Sequence, residues 1–162
     1  MKIKLRYPLL LIFSILLIIV LSNPLIQFKI GIAINWRKDL VPLNGHLLYS
    51  IDNRSFGGDG EEYTVIEYRS YHMDINTDIK KTDEYIYYYS PVFSTSDEIA
   101  ADCDMILDNL SIDEQYLFQY SDIDMILTVQ NKLPDSQFSS SNTLYILQDF
   151  ETKRLFFLER FS

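Results

Sequence analysis

Thirteen consecutive positions near the start of the chain, Leu9 to Leu21, hold twelve Leu, Ile, Val or Phe residues and are broken only by Ser14. A helix that is apolar on every side needs apolar surroundings on every side, which few water-soluble folds of this size supply. At roughly −0.3 to −0.6 kcal/mol per residue, the run contributes about −4 to −7 kcal/mol toward entering a bilayer. Lys2, Lys4 and Arg6 precede it as a basic lead, the pattern of a signal peptide or signal anchor.

Length bears on whether the segment stays in the membrane. Leu9 to Leu21 as a helix covers only ~20 Å of a ~30 Å hydrocarbon layer, whereas Tyr7 to Phe28 covers ~33 Å. The longer version places Ser22, Asn23, Pro24 and Gln27 near one end, where headgroups tolerate them. Val20-Leu21-Ser22 lacks the small-x-small form of a cleavage site, and no Cys adjoins the run for lipid attachment. Residues 1–28 therefore read as an uncleaved hydrophobic anchor and 29–38 as a juxtamembrane linker; cleavage would instead give a secreted product. The dense bases at positions 2, 4 and 6, against the scattered Lys29, Arg37 and Lys38, put the N-terminus in the cytoplasm and the remainder outside.

Charge divides the chain at the same place. Residues 1–38 carry +6 and no acid, while all 23 Asp and Glu lie from Asp39 onward against eight bases, giving −15 for 39–162. A domain of that sign repels phosphate and fits poorly with sequence-independent nucleic-acid binding. It is also held off anionic lipid, so contact with the bilayer is assigned to the N-terminal helix alone. The acidity reads first as a device for solubility, and the partner expected is a protein or peptide ligand, a cationic one being suited to it. Cys103, the single cysteine, has no disulfide partner within the chain and makes no zinc site of the usual type.

Residues 39–162 are a common length for one domain. The chain's 22 Tyr and Phe against five Gly favour strands, since rings and branched side chains pack on a pleated surface. Pattern predicts strands at His46–Ile51, Glu62–Tyr71, Tyr85–Tyr89 and Tyr116–Tyr120. Ile123, Met125, Leu127 and Val129 alternate with mostly polar neighbours as in a half-buried strand. Leu144–Leu147 and Leu155–Phe161 flank Asp149–Lys153 as a closing hairpin. Asp74–Lys81 reads as a short helix. A firmer helix starts at the Thr95-x-x-Glu98 capping box and continues through Ile99, Cys103, Ile106, Leu107 and Leu110, with Asp102, Asp104 and Asp108 as a solvated face. Strands with one or two helices make an α+β fold with a largely antiparallel sheet.

None of the short motifs assembles a catalytic or metal site. Gly57-Gly58-Asp59-Gly60 lacks the Lys-Ser/Thr of a phosphate loop and is followed by Glu61 and Glu62, so it reads as a tight turn requiring positive φ. A calcium loop begun at Asp52 would have Arg54 and Phe56 at ligand positions, leaving only loose coordination by Asp52, Asp59 and Glu61. His46 and His72 lie in no metal or nucleophile motif. The Tyr85, Tyr87, Tyr88, Tyr89 cluster reads as strand, with a binding patch as the alternative. No catalytic, cofactor-binding or metal-binding residue is assigned.

Ser50–Tyr68, with its Phe-Gly-Gly-Asp-Gly before a strand, and Asn142–Arg160 together resemble small exported or membrane-tethered proteins of Gram-positive bacteria that are uncharacterised. The resemblance implies location and compactness, and no site residue. The function expected is that of a single-pass membrane-anchored protein with an extracytoplasmic binding domain. Two alternatives are an envelope-acting hydrolase, which would need His46 or His72 in a cleft, and an immunity protein against a toxin or bacteriocin.

Overall fold

The computed structural model describes residues 6–36, 40–42, 44–55, 59–70, 80–81, 85–91, 97–131 and 142–161. The chain divides into two compact units, Met1–Val41 and Pro42–Ser162.

In the first unit, α1 (Arg6–Leu21) and α2 (Pro24–Trp36) meet at a bend of 78°. The break has a local cause. The Asn23 side-chain oxygen accepts from the backbone N–H groups of Leu25 (3.0 Å) and Ile26 (3.3 Å), capping a new helix in which Pro24 takes the first position. The expected linker at 29–38 is thus helical as far as Trp36. Ser14 and Ser22 return their hydroxyls to the Leu10 and Ile18 carbonyls, which hides their polarity inside the helix. Along α1 the described large side chains are exposed, Phe13 at 64% and Ile18 at 63% among them. Farther on, Ile32, Trp36, Leu40 and Val41 are buried. Among the described residues no single helix is long and apolar enough to cross a membrane; the bent pair Leu10–Leu21 and Pro24–Trp36 meets that test only jointly.

The second unit is α+β. Its strands are β1 (Gly45–Asp52), β2 (Gly60–Tyr68), β3 (Lys80–Lys81), β4 (Tyr85–Pro91), β5 (Met125–Asn131), β6 (Thr143–Asp149) and β7 (Arg154–Phe161). Among the described residues all pair antiparallel in one seven-stranded sheet of order β1-β2-β7-β6-β5-β4-β3. The C-terminal hairpin is therefore the middle of the sheet. A bulge between Leu47 and Tyr49 resets the register of β1. Helix α3 (Asp97–Asn109) connects β4 to β5 and lies over β2 and β7.

Register separates the two faces. Beneath α3, Tyr63, Val65, Ile126, Tyr145, Leu147, Phe156 and Leu158 join Cys103, Ile106 and Leu110 in one core. On the opposite face Ile66, Leu127, Leu144, Ile146, Leu155 and Phe157 are also buried. From Met125 to Val129 the half-buried strand expected at 123–130 is buried on both faces, because Ile126 and Thr128 face the α3 core rather than water.

Other expectations are corrected too. Tyr116–Tyr120 is not a strand: single 3-10 turns occupy Glu114–Tyr116 and Tyr120–Asp122. The Tyr116 carbonyl accepts from the Tyr63 hydroxyl at 2.6 Å instead of from a ladder partner. Lys80 and Lys81 pair with Tyr87 and Ile86 as a strand rather than ending a helix, while positions 74–79 lie outside the described residues. Thr95 of the capping box and Gly57 and Gly58 also lie outside them.

Candidate functional site

Helix α3 presents Ile99, Cys103, Ile106 and Leu110 to the core at helical spacing. Burial, followed by the nearby Asp102 and Asp104, pushes the Cys103 thiol up to about 12, so it is protonated and inert as a nucleophile near neutrality. The acids on the other side are not merely solvated, as the sequence suggested. Asp102 accepts from the Tyr145 hydroxyl at 2.7 Å and from the Arg160 guanidinium at 3.2 Å. Asp104 accepts from the Tyr120 hydroxyl, which also lies 3.0 Å from the Ala100 carbonyl. Burial and these bonds push both phenols above their ordinary range, which keeps each a donor to its carboxylate. Two of the three acids therefore clamp α3 to β6, β7 and the turn at Tyr120.

Beyond Asn109 the chain crosses the end of the helix. The Asn53 amide reaches the Asn109 carbonyl and the Glu61 carboxylate, and Asn109 in turn donates to Glu61 at 3.2 Å, fixing the β1–β2 loop to the helix end. Asp113 caps the following turn. The Tyr116 ring stacks on Tyr49 with centroids 4.7 Å apart, and its carbonyl takes the Tyr63 bond described above. These ties hold a shallow open groove of about 490 Å³ between the second half of α3 and residues 110–117. Its lining is Leu107, Leu110, Ile112 and Leu117 with Asp104 and Asp108. Leu117 is 37% exposed, and Leu107 and Ile112 are half-buried, so the apolar lining meets solvent.

The sequence contained a signal for this site that local pattern reading passed over. Between Lys81 and Lys132 there are eleven acids and not one base. Helix and groove both lie inside that stretch, which makes this region far more negative than the domain as a whole.

Other sequence candidates fall elsewhere. His46 lines an open polar cleft of about 440 Å³ with Glu67, Tyr68, Arg69 and Lys153 at the sheet end, and His72 lies outside the described residues. Gly60 has φ +141°, and a Cβ there would sit 2.7 Å from Arg54 Cα, so the turn demands glycine. The acids suggested for loose calcium coordination are engaged within the protein: Asp52 pairs with Arg54 at 2.6 Å, and Glu61 holds Asn53 and Asn109. Among the described residues no three His, Cys, Asp or Glu side chains converge as metal ligands. Of the tyrosine cluster only the register is described, with Tyr87, Tyr88 and Tyr89 opposite Val129, Thr128 and Leu127.

One buried charged group stands apart. Glu62 and Glu159 face each other across β2 and β7, 8% and 2% exposed. Arg54 reaches Glu62 at 2.8 Å while also holding Asp52, and it lies over the Phe161 ring. Burial outweighs the Arg54 attraction and pushes the Glu62 carboxyl above its ordinary range, whereas the hydrogen bond from Arg54 holds Asp52 below its own. Arg54 thus stitches the loop to the sheet at this end.

Compared with protein-family models, curated proteins and solved structures, the chain matches none.

Proposed function

We propose that the protein is held in a membrane by its N-terminal hydrophobic segment and displays the acidic α+β unit outside the cytoplasm, where that unit works by binding a protein or peptide. The observation that carries the reading is the outward display of Leu, Ile and Phe along α1, in a chain whose second unit buries residues of the same kind. Such a surface is costly in water at about 25 cal/mol per Å² and costs nothing in hydrocarbon. The basic residues 2, 4 and 6 favour a cytoplasmic N-terminus, and the resemblance to membrane-tethered Gram-positive proteins agrees with that placement. Binding rather than chemistry is supported by the use of the acids and phenols around α3 as structural clamps.

Proteinase treatment of intact cells, with a tag at the C-terminus, tests the placement. The tag disappears from whole cells and the full-length product stays with the membrane fraction. A tag protected until the cells are broken defeats the reading. Within it, an immunity protein that intercepts a cationic toxin is the narrower version, supported by the acid-rimmed groove. Envelope hydrolysis is the second reading, favoured by His46 beside Glu67 in the polar cleft. It fails if His46→Ala and His72→Ala together leave the deletion phenotype fully complemented.

A further inference from the structure

We propose that the groove between the second half of α3 and residues 110–117 is the docking site for a cationic amphipathic peptide segment. The segment lays apolar side chains on Leu107, Leu110, Ile112 and Leu117 and sets Lys or Arg against Asp104 and Asp108. This rests on the reading of the acidic unit as a binding module and assigns it a place and a ligand chemistry.

Charge complementarity selects the occupant. Around the groove every formally charged side chain from 97 to 124 is an acid, Asp113 and Glu114 of the crossing included. The last turn of α3 carries no base, so the negative end of its dipole adds to the same field. An anionic lipid surface or a nucleic acid is repelled by this potential. A free divalent cation would leave the apolar floor unused, and no three ligand side chains converge here among the described residues. A peptide carrying both apolar and basic side chains uses both features at once, as in helix-in-groove recognition.

The groove is also preorganised. Leu110 is anchored in the core, and Tyr49, Tyr63 and Tyr116 fix the crossing from beneath by stacking and by the 2.6 Å hydroxyl bond. Leu117 is held outward between two short turns. Ordering the floor on binding therefore costs little.

The test uses the full-length protein in nanodiscs of neutral lipid, with empty nanodiscs as the reference. The probe is a fluorescent amphipathic Leu/Lys peptide, read by anisotropy. Binding above the empty-disc level is expected, weakened by salt but not abolished by it. Asp108→Lys with Leu117→Gln should lower affinity about tenfold or more, since a charge reversal is joined to loss of an apolar contact. Thermal melting of the double variant should match that of the parent. A Leu/Glu peptide of the same pattern, or a Lys/Ser peptide without an apolar face, should bind far more weakly. Equal binding of either control peptide overturns the proposal, as does undiminished binding to a folded double variant or absence of binding to the parent. None of these results alters the proteinase reading of membrane placement, so failure of the groove and failure of the tethered display are separately visible.

Discussion

The two units of this chain solve opposite solvent problems. Residues 1–38, within the first unit, contain no acid, and the described aliphatic side chains of α1 are exposed. The second unit carries all the acids of the chain but Asp39 and buries apolar side chains on both faces of the central strands. The same residue types, Leu, Ile and Phe, are therefore a surface along α1 and a core in the second unit. Amino-acid identity alone does not make a core. The neighbours along the chain do: a helix apolar over thirteen positions leaves no polar side to face water, whereas the apolar runs of β6 and β7 are four residues long and are covered on both faces.

The largest effect expected from breaking this contrast comes from putting acid into the first unit. Ile15→Asp with Ile18→Asp places two carboxylates mid-helix at about 2.5–3.5 kcal/mol each, enough to cancel most or all of the run's insertion energy. The protein should leave the membrane fraction on carbonate extraction; full retention would mean that α1 is not what holds it. Next is a void in the second unit. Ile106→Ala, at a fully buried α3 position, should cost about 2–5 kcal/mol in urea unfolding of the full-length protein, with membrane retention unchanged. A cost below ~1 kcal/mol would show that α3 is not part of the core.

The smallest effect is a tilt with pH. Glu62, ordinarily near 4.5, is raised by burial, so the folded state keeps its proton longer than the unfolded chain does. That group favours folding most at low pH, and its contribution declines as pH rises from about 4.5 to the higher folded value. Asp52 acts in the opposite sense. Its carboxyl is depressed by Arg54 from an ordinary 3.8, so its contribution is present above that value and fades as pH falls through the folded one. Glu62→Gln should remove the decline above pH 4.5 and leave the acid-side loss in place, as read from urea midpoints across a pH series. An unchanged profile would place Glu62 in water rather than beside Glu159.

Most elements of the second unit were legible one at a time. Tyr, Val and Ile runs marked β1, β2, β4 and the last hairpin, and the spacing of Ile99, Cys103, Ile106 and Leu110 marked α3. The missing information was nonlocal. Nothing in the run from Ile123 to Gln130 reveals that Ile126 and Thr128 lie under the core that α3 covers, so by local pattern that face reads as solvated. Asp102 looks like any exposed helix acid until Tyr145 and Arg160 arrive from strands 43 and 58 residues away. Tyr116 has strand-like composition, yet Asp113 caps a turn there and Tyr63 takes its carbonyl. In the first unit the apolar run is plain in the sequence, but the sharp bend depends on Asn23 capping a second helix inside the stretch 1–28 that reads as one anchor. The groove was legible only as a gap in the distribution of bases, and its shape came from contacts no local window contains.

The position of β7 has a consequence for how the sheet comes into being. It is the last strand along the chain, yet it is the one that joins β1-β2 to β6-β5-β4-β3. Emerging N-terminus first, from a ribosome or through a translocation pore, the polypeptide presents two sheet fragments with unfilled edges and no shared ladder. Cooperative closure must await the segment Arg154–Phe161, which acts as a keystone inserted at the end of assembly.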